Sequence, residues 1–362
     1  MNEIIHPGIF HSEILNQGSI WFWITVTFLG LALFLYCLLA GADFGAGVLE
    51  LFLNKNDRQN QRKIIDRALG PVWEANHMWL ILIVVILFMG FPSIYTTVSI
   101  YLHLPLTAML FGIIARGCSF TFRHYDAVQG RSQKPYTFFF IFSSIWTPFC
   151  LGLVTGALVP GRIHSSASYY SGYIRPWLSP FPIALGAFTV ILFALLASIY
   201  IIGETPHNSN RQPLILRAKI FSMASVFMGA LVFVAAEKDG IHLMQEFLHS
   251  PFSSLCLTLA TLSLPILWWV FKKNWIWIPR MIAGFQIALI LAAWLNIQFP
   301  VLIHMQNAAD LTFFNSQAPE ATLRQLSLAL GFGSILILPA LYYLFRVFKL
   351  EQSPSLEKSP HD

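Results

Sequence analysis

The sequence predicts an all-α integral membrane protein, a bundle of nine transmembrane helices with its N-terminus outside and its C-terminus in the cytoplasm. Three observations carry that prediction. Only 11% of the 362 residues are charged and 56% are hydrophobic, against about 25% charged for a soluble domain. The apolar residues gather in nine runs close to membrane length. With the N-terminus placed outside, seventeen Lys and Arg residues fall in the cytoplasmic segments and four in the outer ones, leaving Arg116 within a span.

The runs are expected at 20–42, 77–97, 103–122, 137–159, 181–203, 219–237, 252–271, 281–300 and 326–347. Residues 1–19 read as an outer leader, without the basic start and small-residue cleavage site of a signal peptide. Residues 20–349 read as one polytopic domain and 350–362 as a polar cytoplasmic tail. A tight turn near Ile100–His103 separates the second and third spans. Pro148 and Pro339 lie within the fourth and ninth, where neighbouring groups can satisfy the freed carbonyls. Between the first two spans, Asn56 and Asp57 are expected to cap a short interfacial helix ending at Gly70-Pro71.

Several classes are excluded. Runs of about twenty residues do not suit an outer-membrane barrel, whose strands are about ten residues long. Cys37, Cys118, Cys150 and Cys256 show no CxxC or finger spacing and read as buried hydrophobes. No phosphate-binding loop or HExxH occurs. The formal charge of +5 follows from the cytoplasmic loops and needs no nucleic acid.

Against this apolar background the acids stand out. LLAGADFGAGVLELF places Asp43 among Gly41, Gly45 and Gly47 at the cytoplasmic end of the first span, with Glu50 two turns beyond. PVWEANHMWL places Glu74 and His77 at the entrance to the second. A carboxylate in a membrane is costly unless paired or hydrated, and the usual reason to keep one is a proton or ion route. The glycines permit close helix approach. Arg116 is the natural counter-ion for one of these acids. An acid near the interface can also serve assembly alone. His77 has the chemistry of a heme ligand, but no other span supplies a second axial residue. Gln286 and Asn296 are expected to hydrogen-bond between helices, and Trp268, Trp269, Trp275 and Trp277 to form a cytoplasmic aromatic belt.

GADFGAGVLELF, RALGPVWEANHMWLILIVVILFMGFPSIY and FGIIARGCSFTFRHYD occur in an order that resembles subunit II of the cytochrome bd-type quinol oxidases. The DLT and APEATL elements before the last span add to that likeness. The resemblance covers residues 20–349; HMQNAAD departs from the proline-rich turn more usual there, and Glu74 stands where aspartate is common. It implies a subunit without heme, paired with a heme-bearing subunit I that carries hemes b and, in many members, heme d. Quinol would be the substrate and dioxygen the oxidant, with a structural quinone and a small single-span accessory subunit in some members. It implies that Asp43, Glu74 and His77 lie on a proton path from the cytoplasm. Arg116 and Arg123 would be charge partners, and Trp73 and Trp79 would line the subunit interface or an oxygen route. The rival from a different class is an ion-coupled secondary transporter using Asp43 and Glu74.

Overall fold

The computed structural model describes residues 17–53, 58–125, 133–164, 168–205, 211–273 and 275–351. At some positions inside its helices, Trp73 and Glu74 among them, the side chains lie outside the described residues, as do most of the expected leader and tail and the expected caps Asn56 and Asp57.

The elements follow in order as α1 (Ile20–Glu50), α2 (Arg58–Gly90), α3 (Pro92–Tyr101), α4 (His103–Tyr125), α5 (Gln133–Ala157), α6 (Tyr169–Tyr173), α7 (Pro180–Glu204), α8 (Arg211–Lys238), α9 (Leu243–His249), α10 (Pro251–Phe271) and α11 (Trp277–Gln298). Strands β1 (Val301–Ile303) and β2 (Leu311–Thr312) and helix α12 (Glu320–Glu351) complete the chain. Among the described residues eight helices are long and apolar enough to cross a membrane, and a bent pair makes a ninth span.

Several boundaries differ from expectation: α8 begins at Arg211 rather than 219, and α12 at Glu320 rather than 326. The first helix does not stop at residue 42 but runs to Glu50, with Asp43 well inside it. Glycines are poor helix formers, but here they are buried against other helices, and packing overrides propensity. The interfacial helix expected to end at Gly70-Pro71 is instead the start of α2, which continues to Gly90. Glycine and proline both weaken a helix locally, yet the helix runs through Gly70-Pro71. The second span is then broken: residues Asn76–Gly90 and Pro92–Tyr101 meet at 116° around Phe91. Pro92 opens the new helix at its first turn, where its missing N–H costs nothing.

Helices α1 and α7 form the centre. They pack on each other, and both touch α2, α5 and α11; α4 lies against α5, α8 against α7, and α10 against α11. At one end, Phe22, Phe91, Phe299, Phe313 and Leu323 make an aromatic-rich core under the β1–β2 hairpin. That hairpin is antiparallel, pairing Val301 with Thr312 and Ile303 with Leu311. The HMQNAAD segment turns between its strands, where Asp310 accepts from the Met305 N–H at 2.8 Å and meets His304 at 3.0 Å. At the same end Asp239 caps α7, accepting from the Phe181 N–H at 2.8 Å while pairing with Arg162 at 2.9 Å. The other end holds the largest core, built on Phe44, Leu49, Phe140, Phe193 and Leu196.

Polar contacts tie the remaining helices together as the sequence predicts. Gln286 donates to Ser263 at 2.6 Å, and Asn296 donates to Ser250 and Ser253 at 2.9 and 3.0 Å. In the tryptophan cluster, Trp268 donates to Ser222 at 2.8 Å, and Lys273 sits 4.4 Å over the Trp269 ring.

Candidate functional site

The glycines around Asp43 are there for contact. A Cβ on Gly45 would collide with the backbone carbonyl of Phe193 in α7, and one on Gly47 with Ser144 in α5. Only hydrogen side chains let α1 approach both neighbours this closely. The approach buries every residue from Ala40 to Glu50 and puts Asp43 out of reach of bulk water.

Arg116, from α4, reaches the aspartate in that interior. Its Nη2 donates to Asp43 Oδ1 at 2.6 Å and also to the Asp43 backbone carbonyl, while Nη1 donates to the Ser144 hydroxyl. Both side chains of the pair are 1% exposed. Phe44 and Phe140 flank the guanidinium at 5.0 and 4.3 Å, a cation–π arrangement that stabilises a buried cation without adding charge. Asn76, from α2, offers its Nδ2 to Asp43 Oδ2 at a long 3.5 Å. Arg116 Nε and Asn76 Oδ1 are buried polar atoms without a protein partner, so the surroundings of Asp43 are polar beyond the ion pair itself.

A second pair stands two turns along. Glu50, fully buried, accepts from Arg123 at 2.7 Å through Oε1 and from Arg62 at 3.2 Å through Oε2. Arg123 lies 4.1 Å from the centre of the same Phe140 ring that Arg116 covers. One phenylalanine thus separates two guanidiniums, each committed to its own acid.

Of the residues singled out from sequence, Asp43, Arg116 and Arg123 come together here. Arg123 meets Glu50 rather than Asp43, and Glu50, which the sequence places two turns beyond Asp43, belongs with the site. The signal that finds it is the shared spacing, since Asp43 and Glu50, like Arg116 and Arg123, stand seven residues apart. His77 is half-buried in α2 beside Asn76, and Trp79 is half-buried against the main core. Trp73 and Glu74 belong to the same helix, their side chains outside the described residues.

Among the described residues no three His, Cys, Asp or Glu side chains gather as a metal site. The described histidines other than His77 lie at helix ends or in loops, as with His103, which meets the Ile100 carbonyl, and His304 in the hairpin.

The sequence of the cytochrome bd terminal oxidase subunit II family matches this chain over residues 19–348. The chain belongs to that family. It is thus a multi-pass subunit of a bd-type terminal oxidase complex in a bacterial cytoplasmic membrane, working beside a heme-bearing partner. The cytochrome bd ubiquinol oxidase subunit 2 of Bacillus subtilis (strain 168) is 26% identical over 91% of this chain and 95% of that protein. A putative cytochrome bd menaquinol oxidase subunit II of the same organism is 22% identical over 87% and 92%. The cytochrome bd-I ubiquinol oxidase subunit 2 of Escherichia coli (strain K12) matches at 25% over half of this chain and 47% of its own length. Among solved structures, a chain of the bd oxidase from Geobacillus thermodenitrificans superposes with a TM-score of 0.72. It covers 91% of this chain and 99% of that one at 19% identity, a likeness of fold.

Proposed function

We propose that this chain is the proton-conducting subunit II of a quinol:oxygen oxidoreductase, with Asp43 as the buried acid of the route. The observation that carries the reading is the Asp43–Arg116 pair, 1% exposed on both sides within a transmembrane helix. Replacing a buried ion pair by apolar residues is often neutral or stabilising, so structure alone is a weak reason to retain one. An acid held beside unpartnered polar atoms has the surroundings that a water-linked relay needs.

In the overall reaction two quinols give four electrons and dioxygen takes them with four protons to form two waters. The electron and oxygen chemistry belongs to the partner subunit, with its hemes b and, in many members of the family, heme d. This chain's share is to deliver protons. Asp43 holds and passes them, Arg116 fixes the carboxylate by a charged hydrogen bond, and Asn76 and His77 line the wall toward α2. Glu74 stands one turn nearer the start of α2 and extends the route, and Trp73 and Trp79 shape the face toward the partner or an oxygen passage. A structural quinone and a small single-span accessory subunit are the further partners. The relatives named for ubiquinol and menaquinol support a quinol as substrate class.

The N-terminus lies outside and the C-terminus in the cytoplasm, supported by the basic residues that flank the end of the bundle holding Glu50, Arg62, Arg123 and Arg217. Protons are then drawn from the cytoplasm, and with quinol protons released outside, turnover builds a membrane potential. Family membership favours this reading over the ion-coupled transporter.

The test is Asp43→Asn in the whole complex, with heme content and quinol-driven oxygen consumption both measured. A relay loses turnover while heme content and subunit ratio stay normal. An assembly anchor loses the complex, and normal turnover would rule the relay out.

A further inference from the structure

Glu50 is a fully buried acid that the route just described does not use. It lies seven residues past Asp43, two helical turns and about 10 Å along one face of α1. The arginines repeat that spacing on α4, so two acid–arginine pairs stand in the same register, one above the other. The outer pair has an extra member. Arg62, from the early part of α2, holds Glu50 Oε2 at 3.2 Å and has a side chain 25% exposed, whereas Arg123, on Oε1, is 6% exposed. One oxygen therefore faces a shallow, water-reaching cation and the other a deep, fixed one.

A helix C-terminus attracts cations, and Arg217 serves that need by donating to the Phe52 carbonyl. It gives no reason for a buried carboxylate at Glu50, which carries its own desolvation cost.

We propose that Glu50 is the outer acid of the proton path, loaded from water on the Arg62 side and discharging along α1 toward Asp43. The proposal rests on the reading of Asp43 as a relay. When Arg62 swings into solvent, Oε2 meets water while Arg123 keeps the carboxylate in place. A hydronium ion gives its proton to Oε2 and becomes water. The proton then crosses by bridging water to the Asp43 carboxylate, and Glu50 returns to its anion and to Arg62, unchanged overall. Phe140, lying under both guanidiniums, keeps each arginine with its own acid during the exchange.

The experiment compares Glu50→Gln, Glu50→Asp and Asp43→Asn in the complete, purified oxidase complex. Heme content, quinol-driven oxygen consumption and its solvent deuterium isotope effect are measured for each. Glu50→Gln is expected to keep normal heme content, lose roughly tenfold or more in rate and show a larger isotope effect, with Glu50→Asp recovering part of the rate. Normal turnover of Glu50→Gln with a slow Asp43→Asn overturns this proposal and leaves the Asp43 relay standing. Normal turnover of both overturns the relay itself. If Glu50→Gln does not assemble, the double variant Glu50→Gln/Arg123→Gln removes the acid together with its more buried arginine. Assembly with slow turnover then supports the proposal. Assembly with full turnover, or renewed failure to assemble, makes Glu50 an anchor and overturns it.

Discussion

Arg116 and Asp43 meet at 2.6 Å inside the bundle, brought together from helices that are not sequence neighbours. The guanidinium also donates to the aspartate's own backbone carbonyl and to Ser144, so one side chain holds α4, α1 and α5 in register. Removing Arg116 alone leaves a carboxylate buried without its cation, and such breakage costs about 3–5 kcal/mol. Arg116→Gln is therefore expected to lower the thermal midpoint of the purified complex sharply. Asp43→Asn/Arg116→Gln, which removes both charges, should recover part of the loss. Equal midpoints for the single and double variants would mean that the pair is not coupled.

Gly45 faces the Phe193 carbonyl, an atom of the backbone that cannot rotate away. Gly45→Ala must push α1 from α7, and overpacking of this kind costs about 1–3 kcal/mol. The expected result is a lower yield of heme-containing complex and a lower midpoint. Gly331, with open space around it, is the control and should accept alanine without either effect.

Arg280 and Glu204 also pair at 2.7 Å, but their side chains are 16% and 26% exposed. That pair is partly open to water, unlike the Asp43–Arg116 pair. Glu204→Gln should leave assembly intact and turnover within about twofold of the parent, a shift of less than about 0.5 kcal/mol in barrier. A large loss of oxygen consumption in that variant would give Glu204 a role in proton entry.

Orientation is open to labelling. Ser168 and Lys272 are exposed, at opposite ends of the bundle. A membrane-impermeant maleimide is expected to label Ser168→Cys in intact cells, and Lys272→Cys only after permeabilisation. The reverse pattern would invert the topology.

The spans are legible in the sequence because lipid demands long apolar runs, and most helices lie within a few residues of where those runs place them. Pro92 is a local signal for the break at Phe91, since it disfavours a helical residue before it, but the 116° angle is not legible in FMGFPSIY. The chemistry of the site is half legible. An acid among glycines inside a span and an arginine inside another are visible as types, and their pairing follows from the cost of leaving either alone. Glu50 is visible as an acid two turns beyond Asp43, but its partners are not, because it precedes the polar segment LFLNKNDR. Its burial arises only when Arg62 in α2 and Arg123 in α4 fold over the end of α1, a meeting that no local pattern records. Continuity of α2 through Gly70-Pro71 is hidden because both residues are local helix breakers.

The most direct measurement is a reduced-minus-oxidised visible spectrum of the complex drawn from membranes by a tag on this chain, repeated on the chain after separation from its partner. A b-type or mixed b- and d-type heme signal in the complex, absent from the separated chain, is the predicted result. An intact, gently solubilised complex without heme, or a separated chain that keeps it, would contradict the assignment of this chain as the heme-free second subunit of a terminal oxidase.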